Sequence, residues 1–345
     1  MIKLYVPNIG DGLSAGLLSI NYNTILLDCG SQNHPILAYK KGLLNVMPNV
    51  FILSHFHADH YNGLFEGLKH PGTFSISDVY YPRIPDFKDR NEYLLCLFAI
   101  NHRPFGSSSG SMEYDFLNTL SKLNKIPFSK HGISQGDIIN LNGNHVFTLW
   151  PPKIFDQDTI LKSIKNAITD FYEAMAEDSI LNDIYKKLQD TNIVHPYINE
   201  TTEFISNNID NNKYFSYDKR EIPYITQKAN KSLKKVANRI SLAFYIDTDL
   251  LFMGDLESTE IRYVIDILIE NNRNMFYSII TPHHGTHWDK SLNNIYSVNT
   301  ISSIGDKLFR FAKKEFINVS KYSFFTYLQG DIYIPSYCCH NNIWW

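Results

Sequence analysis

Over its first third the chain alternates short apolar runs with turn residues, a rhythm that predicts β-strands. Lys3–Pro7 runs into a Gly10-Asp11-Gly12 turn, Leu17–Asn21 follows, and Thr24–Asp28 ends at Cys29-Gly30. Asn49–Ser54 (Asn-Val-Phe-Ile-Leu-Ser) is an apolar run of buried-strand length that delivers the chain directly to His55. Helical spacing appears around Asn91–Ile100 and near Tyr114–Asn124, separated by a Gly/Ser loop at Gly106–Ser111. Strands return at Asp137–Leu141 and His145–Leu149, closed by Trp150-Pro151-Pro152.

From Lys153 to about Lys235 polar and charged residues dominate, and Ile160–Leu188 has helical periodicity. This texture predicts a helical insertion, 153–235, within one domain spanning 1–345. Ser241–Ile246 and Leu250–Met253 then read as a strand pair, Ser258–Asn271 as a helix, and Phe276–Thr281 as a strand ending in Pro282-His283-His284-Gly285. The mixture predicts an α/β fold with no solenoid repeat.

Composition narrows the class. A chain of 345 residues with 44% apolar content can bury a large core, and a net charge of -3 advertises no global attraction to nucleic acid. Four cysteines without CxxC spacing cannot make a disulfide framework, which suits a reducing cytoplasm. No signal-like h-region opens the chain and no run of about 18 apolar residues occurs, so a cytoplasmic protein with no membrane partner is expected. The sequence points to no particular partner protein.

The candidate chemistry starts at Ser54-His55-Phe56-His57-Ala58-Asp59-His60. Just past a strand the chain is extended, so residues two apart face the same way and both His55 and His57 can reach one ion. A turn beginning at Ala58 would swing Asp59 and His60 towards a second. Imidazole and carboxylate are the ligand types of zinc and similar divalent ions. The competing reading is a polar loop whose histidines merely lie close together. Two later strand ends carry matching groups. Gly254-Asp255 follows Leu250–Met253, with Asp255 placed to bridge two ions, and His283-His284-Gly285 follows Ser278–Thr281. Alone, Gly-Asp is an ordinary turn signal and His-His-Gly reads equally as ligand or chance pair, but in this order they reinforce the first cluster.

The order Asp28 at a strand end, Ser-His-x-His-x-Asp-His, Gly-Asp, then His-His-Gly resembles the metallo-β-lactamase superfamily across most of the chain. Within it the likeness is closest to the hydrolase domain of the DNA-uptake channel protein ComEC and its stand-alone relatives. Asn8–Gly12, Ile25–Gly30, Asn238–Leu242, Thr281–Thr286 and the terminal Phe324-Phe325-Thr326 with Gly330-Asp331-Ile332 carry that likeness. The resemblance implies a four-layer αβ/βα sandwich with the metals at one rim. It implies that His55 and His57 bind a first metal, Asp59 and His60 a second, that Asp255 bridges, and that His284 completes the second while His283 lies beside it. Asp28 would orient the histidine loop from behind. The superfamily often adds a third histidine to the first metal from the strand end near Leu149–Pro152; here Trp150 stands there, with His131 and His145 nearby.

Two divalent ions, Zn2+ first and Mn2+ as the alternative, would hold a hydroxide and polarise the substrate oxygen. Asp59 would help to position the water, and His287 either contacts a phosphate or passes a proton to the leaving group, or simply caps a surface loop. No Gly-x-Ser-x-Gly elbow offers a serine nucleophile. A phosphodiesterase or nuclease is the first expectation. Beyond the resemblance, Lys228, Lys231, Lys234, Lys235 and Arg239 are spaced to array charge along a helix, as a phosphate backbone would require. A solvated face offset by acidic neighbours is the plainer account of those lysines. Phe171, Tyr172, Phe215, Tyr217 and Tyr224 either stack bases or pack their segment onto the body. Cys338-Cys339-His340 reads as part of a packed or loose terminus. Two other functions stay open: a lactone, thioester or amide hydrolase, and a non-catalytic binding or sensor module with an incomplete first metal site.

Overall fold

The apolar runs form strands buried on both faces, and alternate residues of each run enter different cores. The computed structural model describes residues 2–19, 24–103, 116–141, 144–155, 158–190, 193–198, 203–204, 222–247 and 249–335. The Gly106–Ser111 loop, Phe215, Tyr217 and Cys338-Cys339-His340 lie outside the described residues. The strands are β1 Ile2–Val6, β2 Gly12–Ser19, β3 Thr24–Ser31, β4 Val50–Ile52, β5 Asp78–Pro82, β6 Phe128–Ile133, β7 Ile138–Leu141 and β8 Asn144–Trp150. They continue as β9 Glu203–Phe204, β10 Ala243–Ile246, β11 Leu250–Phe252, β12 Met275–Ile280, β13 Tyr296–Ser302, β14 Ser320–Phe325 and β15 Ile332–Ile334.

Two mixed sheets result. One has the order β15-β1-β2-β3-β4-β5-β6-β9 and the other β14-β13-β12-β11-β10-β8-β7. The runs β3 to β6 and β11 to β14 are parallel. Ile25, Leu27, Val50 and Ile52 of the first sheet meet Phe244, Ile246, Leu250 and Phe252 of the second in the core between sheets. Their neighbours Leu26, Phe51, Tyr245 and Leu251 point the other way, into the core shared with the helices. The result is the αβ/βα sandwich expected from the sequence.

Helices cover the outer faces. Arg90–His102 is buried without a break from Tyr93 to Asn101. Asp158–Glu177 packs along Tyr224–Arg239, and Ser258–Glu270 covers the second sheet. The periodicity of 160–188 reads as continuous, yet two helices form, Asp158–Glu177 and Ser179–Gln189. Asp178 breaks the run because its carboxylate has buried partners. It caps Leu181 N at 3.2 Å and accepts from Arg103 Nε at 2.9 Å and Thr226 Oγ1 at 3.0 Å, which needs an extended backbone there. Among the described residues no helix is long and apolar enough to cross a membrane.

Chain topology gathers the chemistry at one rim. Parallel β3, β4, β11 and β12 all run to the same side; Asp28 follows the last β3 residue paired with β4, and His55, Asp255 and His283 lie just beyond the ends of β4, β11 and β12. The ends of the two sheets are tied by a hydrogen bond from Leu242 N to Ser54 O, 2.7 Å. Asp331 and Asp11, parts of the terminal and glycine-rich motifs, brace distant parts of the chain. Asp331 accepts from Asn8 N and Lys41 Nζ, and Asp11 accepts from Gly305 N.

Candidate metal centre

The histidine loop is set by local backbone. His57 is extended (φ -88, ψ 138), and a short helical turn covers Ala58–His60. His55 and His57 therefore project together, with His55 Nε2 2.8 Å from His57 Nδ1. Phe56 between them points back into an aromatic cluster with Tyr81, Phe98 and Tyr197. Asn101 Nδ2 donates to Phe56 O at 2.7 Å and pins the loop from below.

Asp28 holds the loop from behind. Its Oδ1 accepts from Ser54 N at 2.7 Å, and its Oδ2 takes Ser54 Oγ at 2.6 Å and His60 Nδ1 at 2.8 Å. With Nδ1 engaged, His60 turns Nε2 towards Asp255 Oδ2, 3.4 Å away. His284 Nδ1 is likewise engaged, 3.0 Å from Ser303 O, so its Nε2 also faces Asp255 Oδ2, at 3.6 Å. Such fixing of one ring nitrogen decides that the other is the ligand atom.

These separations exceed a normal N–H···O bond. They match instead two ligands of one tetrahedral ion, since donors about 2.1 Å from zinc lie roughly 3.4 Å apart. His55, His60 and Asp255 offer ligand atoms all within 4.8 Å of one another. His60 Nε2, His57 Nε2 and Asp59 Oδ1 are buried polar atoms without a hydrogen-bond partner among the described residues. Asp28 and Asp255 are buried carboxylates and Asp59 is half-buried. That concentration of negative charge and orphaned polar atoms fits a cation.

Electrostatics agree. Burial, then His60 and His57, hold the His55 ring well below its ordinary pKa. Burial and the charge of Lys234 bring His57 down to about 3. Both rings are thus neutral near pH 7, the form that binds metal. Burial disfavours the charged form of His60, yet Asp255 and Asp28 outweigh it and raise its pKa well above the usual value. For Asp255 burial pushes up, but His284, His60 and His283 together hold it well below the carboxylate range. The Asp255 pocket attracts positive charge, as a proton on His60 or as an ion.

The backbone itself is shaped for the site. Asp28, His283 and His284 adopt positive φ (54, 48 and 58°), conformations that cost non-glycine residues of order 1–3 kcal/mol and persist where function or packing demands them. Gly254, just before Asp255, also has positive φ, and a Cβ there would lie 2.8 Å from Leu242 O.

The remaining sequence candidates lie beside this centre or away from it. His283 Nε2 is 3.8 Å from Asp255 Oδ2, and its Nδ1 is 3.0 Å from His287 Nδ1. Trp150 ends β8 as a buried side chain whose indole donates to Arg239 O at 2.7 Å, so no ligand comes from that strand end. His131 pairs with Asp78 at 3.0 Å on β6, and His145 lies beside Phe147; neither joins the centre. Arg239 is turned inward, with Nε 2.8 Å from Glu260 Oε1, and does not share a surface with the lysines. Lys228 is bound to Asp170 at 2.8 Å. Lys231 and Lys235 are exposed, whereas Lys234 is half-buried and acts on both His57 and Asp59. Of the stacking candidates, Phe171 is fully buried and Tyr172 bonds Tyr185 at 3.0 Å. Gln32, which donates to Asp59 Oδ2 at 3.0 Å, and Glu257, 3.6 Å from His287, escape the sequence reading. Gln32 carries no sequence signal; Glu257, two residues past Asp255, is readable as a second acid at the same strand end.

No protein-family model matches the chain, and no curated protein does. Solved structures do. A metallo-β-lactamase-fold protein, YhfI from Bacillus subtilis, aligns at a TM-score of 0.41 and 10% identity over 96% of this chain and 100% of that one. A diphosphatase from the PhnP family aligns at 0.42 and 9% identity over 98% and 99%. A long form RNase Z from yeast aligns at 0.37 and 8% identity, over 87% of this chain and 36% of its own. Likeness at this distance assigns no activity; the chain's own residues must carry that.

Proposed function

We propose that this protein is a metal-dependent hydrolase, a phosphodiesterase or nuclease of ComEC-like type, with its cations held by His55, His57, Asp59, His60, Asp255 and His284. The observation that carries the reading is the convergence of His60 Nε2 and His284 Nε2 on one Asp255 oxygen at 3.4 and 3.6 Å, with each ring's other nitrogen already engaged. Two divalent ions, Zn2+ before Mn2+, would acidify a water and polarise the scissile ester there. Asp28 and Ser54 hold the histidine rings in place. Asp59, steadied by Gln32, has a free Oδ1 buried in the site with which to orient the attacking water.

Phosphodiesters are favoured by charge. The charge of Lys234 bears on His57 and Asp59 and would favour a phosphate there, and Lys231 and Lys235 extend positive charge along the same helix. In this reading 153–235 is an insertion in a single domain and delivers that helix to the mouth of the site. Nucleic acid is the proposed substrate class.

The specific observation favouring a second reading is Trp150 in place of a third ligand, which leaves the His55–His57 position short of one protein donor. A binding or sensor module would then hold less than one ion per chain. Elemental analysis after purification with zinc or manganese, joined to assays on bis-p-nitrophenyl phosphate and a lactone panel, decides between them. The hydrolase reading expects at least one ion per chain and turnover of the phosphodiester. Turnover of lactones alone would move the assignment to an acyl hydrolase, and absence of both metal and turnover would withdraw it.

A further inference from the structure

We propose that Glu257, His283 and His287 form an outer divalent-cation site, separated from the inner centre by the single imidazole ring of His283. The three residues come from two strand ends. Glu257 immediately precedes the helix Ser258–Glu270, and His283 and His287 stand four apart after β12. His283 Nδ1 and His287 Nδ1 are 3.0 Å apart, and Glu257 Oε2 is 3.6 Å from His287 Nδ1. Each residue offers a ligand atom within 4.8 Å of the others.

Protein contacts hold this cluster only loosely: besides each other, His283 Nδ1 faces Asn238 Nδ2 at 3.5 Å and His287 Nδ1 faces Leu256 O at 3.4 Å, both at the long limit of a hydrogen bond. Two ring nitrogens at 3.0 Å can share one proton, but that leaves the carboxylate beyond hydrogen-bond length of the ring it faces. One ion between the three satisfies all of them at once. The left-handed backbone at His283 (φ 48) turns its ring edge-on between the two groups, so that Nε2 faces Asp255 and Nδ1 faces His287.

The donor set is two imidazoles and one carboxylate, which selects zinc, cobalt or manganese over the oxygen-seeking magnesium and calcium. Exposure separates the two sites. The side chains of His283, His287 and Glu257 are 23%, 28% and 25% exposed, against 5% or less for His60, His284 and Asp255. With one carboxylate and open access, the outer site binds more weakly and exchanges faster. A ring that holds an ion cannot carry a proton, so His287 would not serve as a proton shuttle while the site is filled.

Titration of metal-free protein with Co2+, followed by visible absorption and calorimetry, tests this without reference to hydrolysis. The native chain is expected to show an inner binding phase and a weaker outer one. H287A and the near-isosteric E257Q should each abolish the weaker phase or weaken it at least tenfold, with the inner phase and the far-UV circular dichroism kept. H60A should do the reverse. Unchanged stoichiometry and affinity in both H287A and E257Q overturns the proposal. So does loss of every phase in E257Q with a native spectrum, since the residue would then belong to the inner centre. Should the protein hydrolyse nothing yet show the weaker phase and its loss in E257Q, the outer site stands and only the hydrolase reading falls.

Discussion

At the residue scale the centre depends on a few side chains whose second atoms are already committed. His57→Ala or Asp255→Ala is expected to abolish phosphodiester hydrolysis while the far-UV circular dichroism stays largely native, because the removed atoms serve the site more than the core. Retained turnover in either would remove the assignment. Asp28→Ala differs, since it strips partners from Ser54 N, Ser54 Oγ and His60 Nδ1 at once. Loss of such supporting bonds typically lowers metal affinity about 10–100-fold, measurable by competition with a chelating dye. Glycine matters at two points. A Cβ on Gly30 would lie 2.2 Å from Asp59 O, and one on Gly254 would meet Leu242 O from a positive-φ backbone. Gly254→Ala is expected to cost about 1–3 kcal/mol in urea unfolding and to displace Asp255. The histidine cluster and Gly-Asp were legible because metal ligands of one kind crowd within a few residues. The inward turn of Arg239 was not legible, since a helical charge row looks alike whether one member is buried or not.

At the element scale the helix Tyr224–Arg239 joins two functions. One side buries Thr226, Ala229, Leu233, Val236 and Ala237, and its last residue ties it to the body through the Arg239–Glu260 pair. Removing one partner of a buried pair leaves the other charge uncompensated, so Arg239→Met should destabilise by about 3–5 kcal/mol in denaturant titration. The lysines on the free side carry a separate prediction. Neutralising Lys231, Lys234 and Lys235 together should weaken oligonucleotide binding and flatten its salt dependence, by roughly 0.7 in log–log slope for each single-strand phosphate no longer neutralised. Identical binding across salt in the triple variant would take the helix out of the substrate path. The split at Asp178 shows where periodicity misleads. Apolar spacing continues across it, but Arg103 and Thr226, from distant parts of the chain, claim the carboxylate.

At the scale of the whole molecule, the centre is made from loops of both sheets, so an ion there crosslinks them. Binding to the folded state alone stabilises by about 2.7 kcal/mol at a free concentration one hundred times the dissociation constant. Chelation should therefore lower the thermal midpoint, Zn2+ should restore it, and His284→Ala should blunt the restoration. An unchanged midpoint in calorimetry would mean that the rim is closed by protein contacts alone.

The sequence by itself determined what is local. Period-two and continuous apolar runs marked strands, and extended backbone after a strand put His55 and His57 on one side. A residue's neighbours along the chain suffice for both, because backbone geometry alone sets which way successive side chains point. Only the tertiary structure decided the order of strands in the two sheets, the contact of the Trp150 indole with Arg239 O, the inward Arg239 side chain and the meeting of Glu257 with His283 and His287. Those outcomes depend on contacts between residues far apart in the chain, where many pairings satisfy the same local pattern and packing of the whole core selects one.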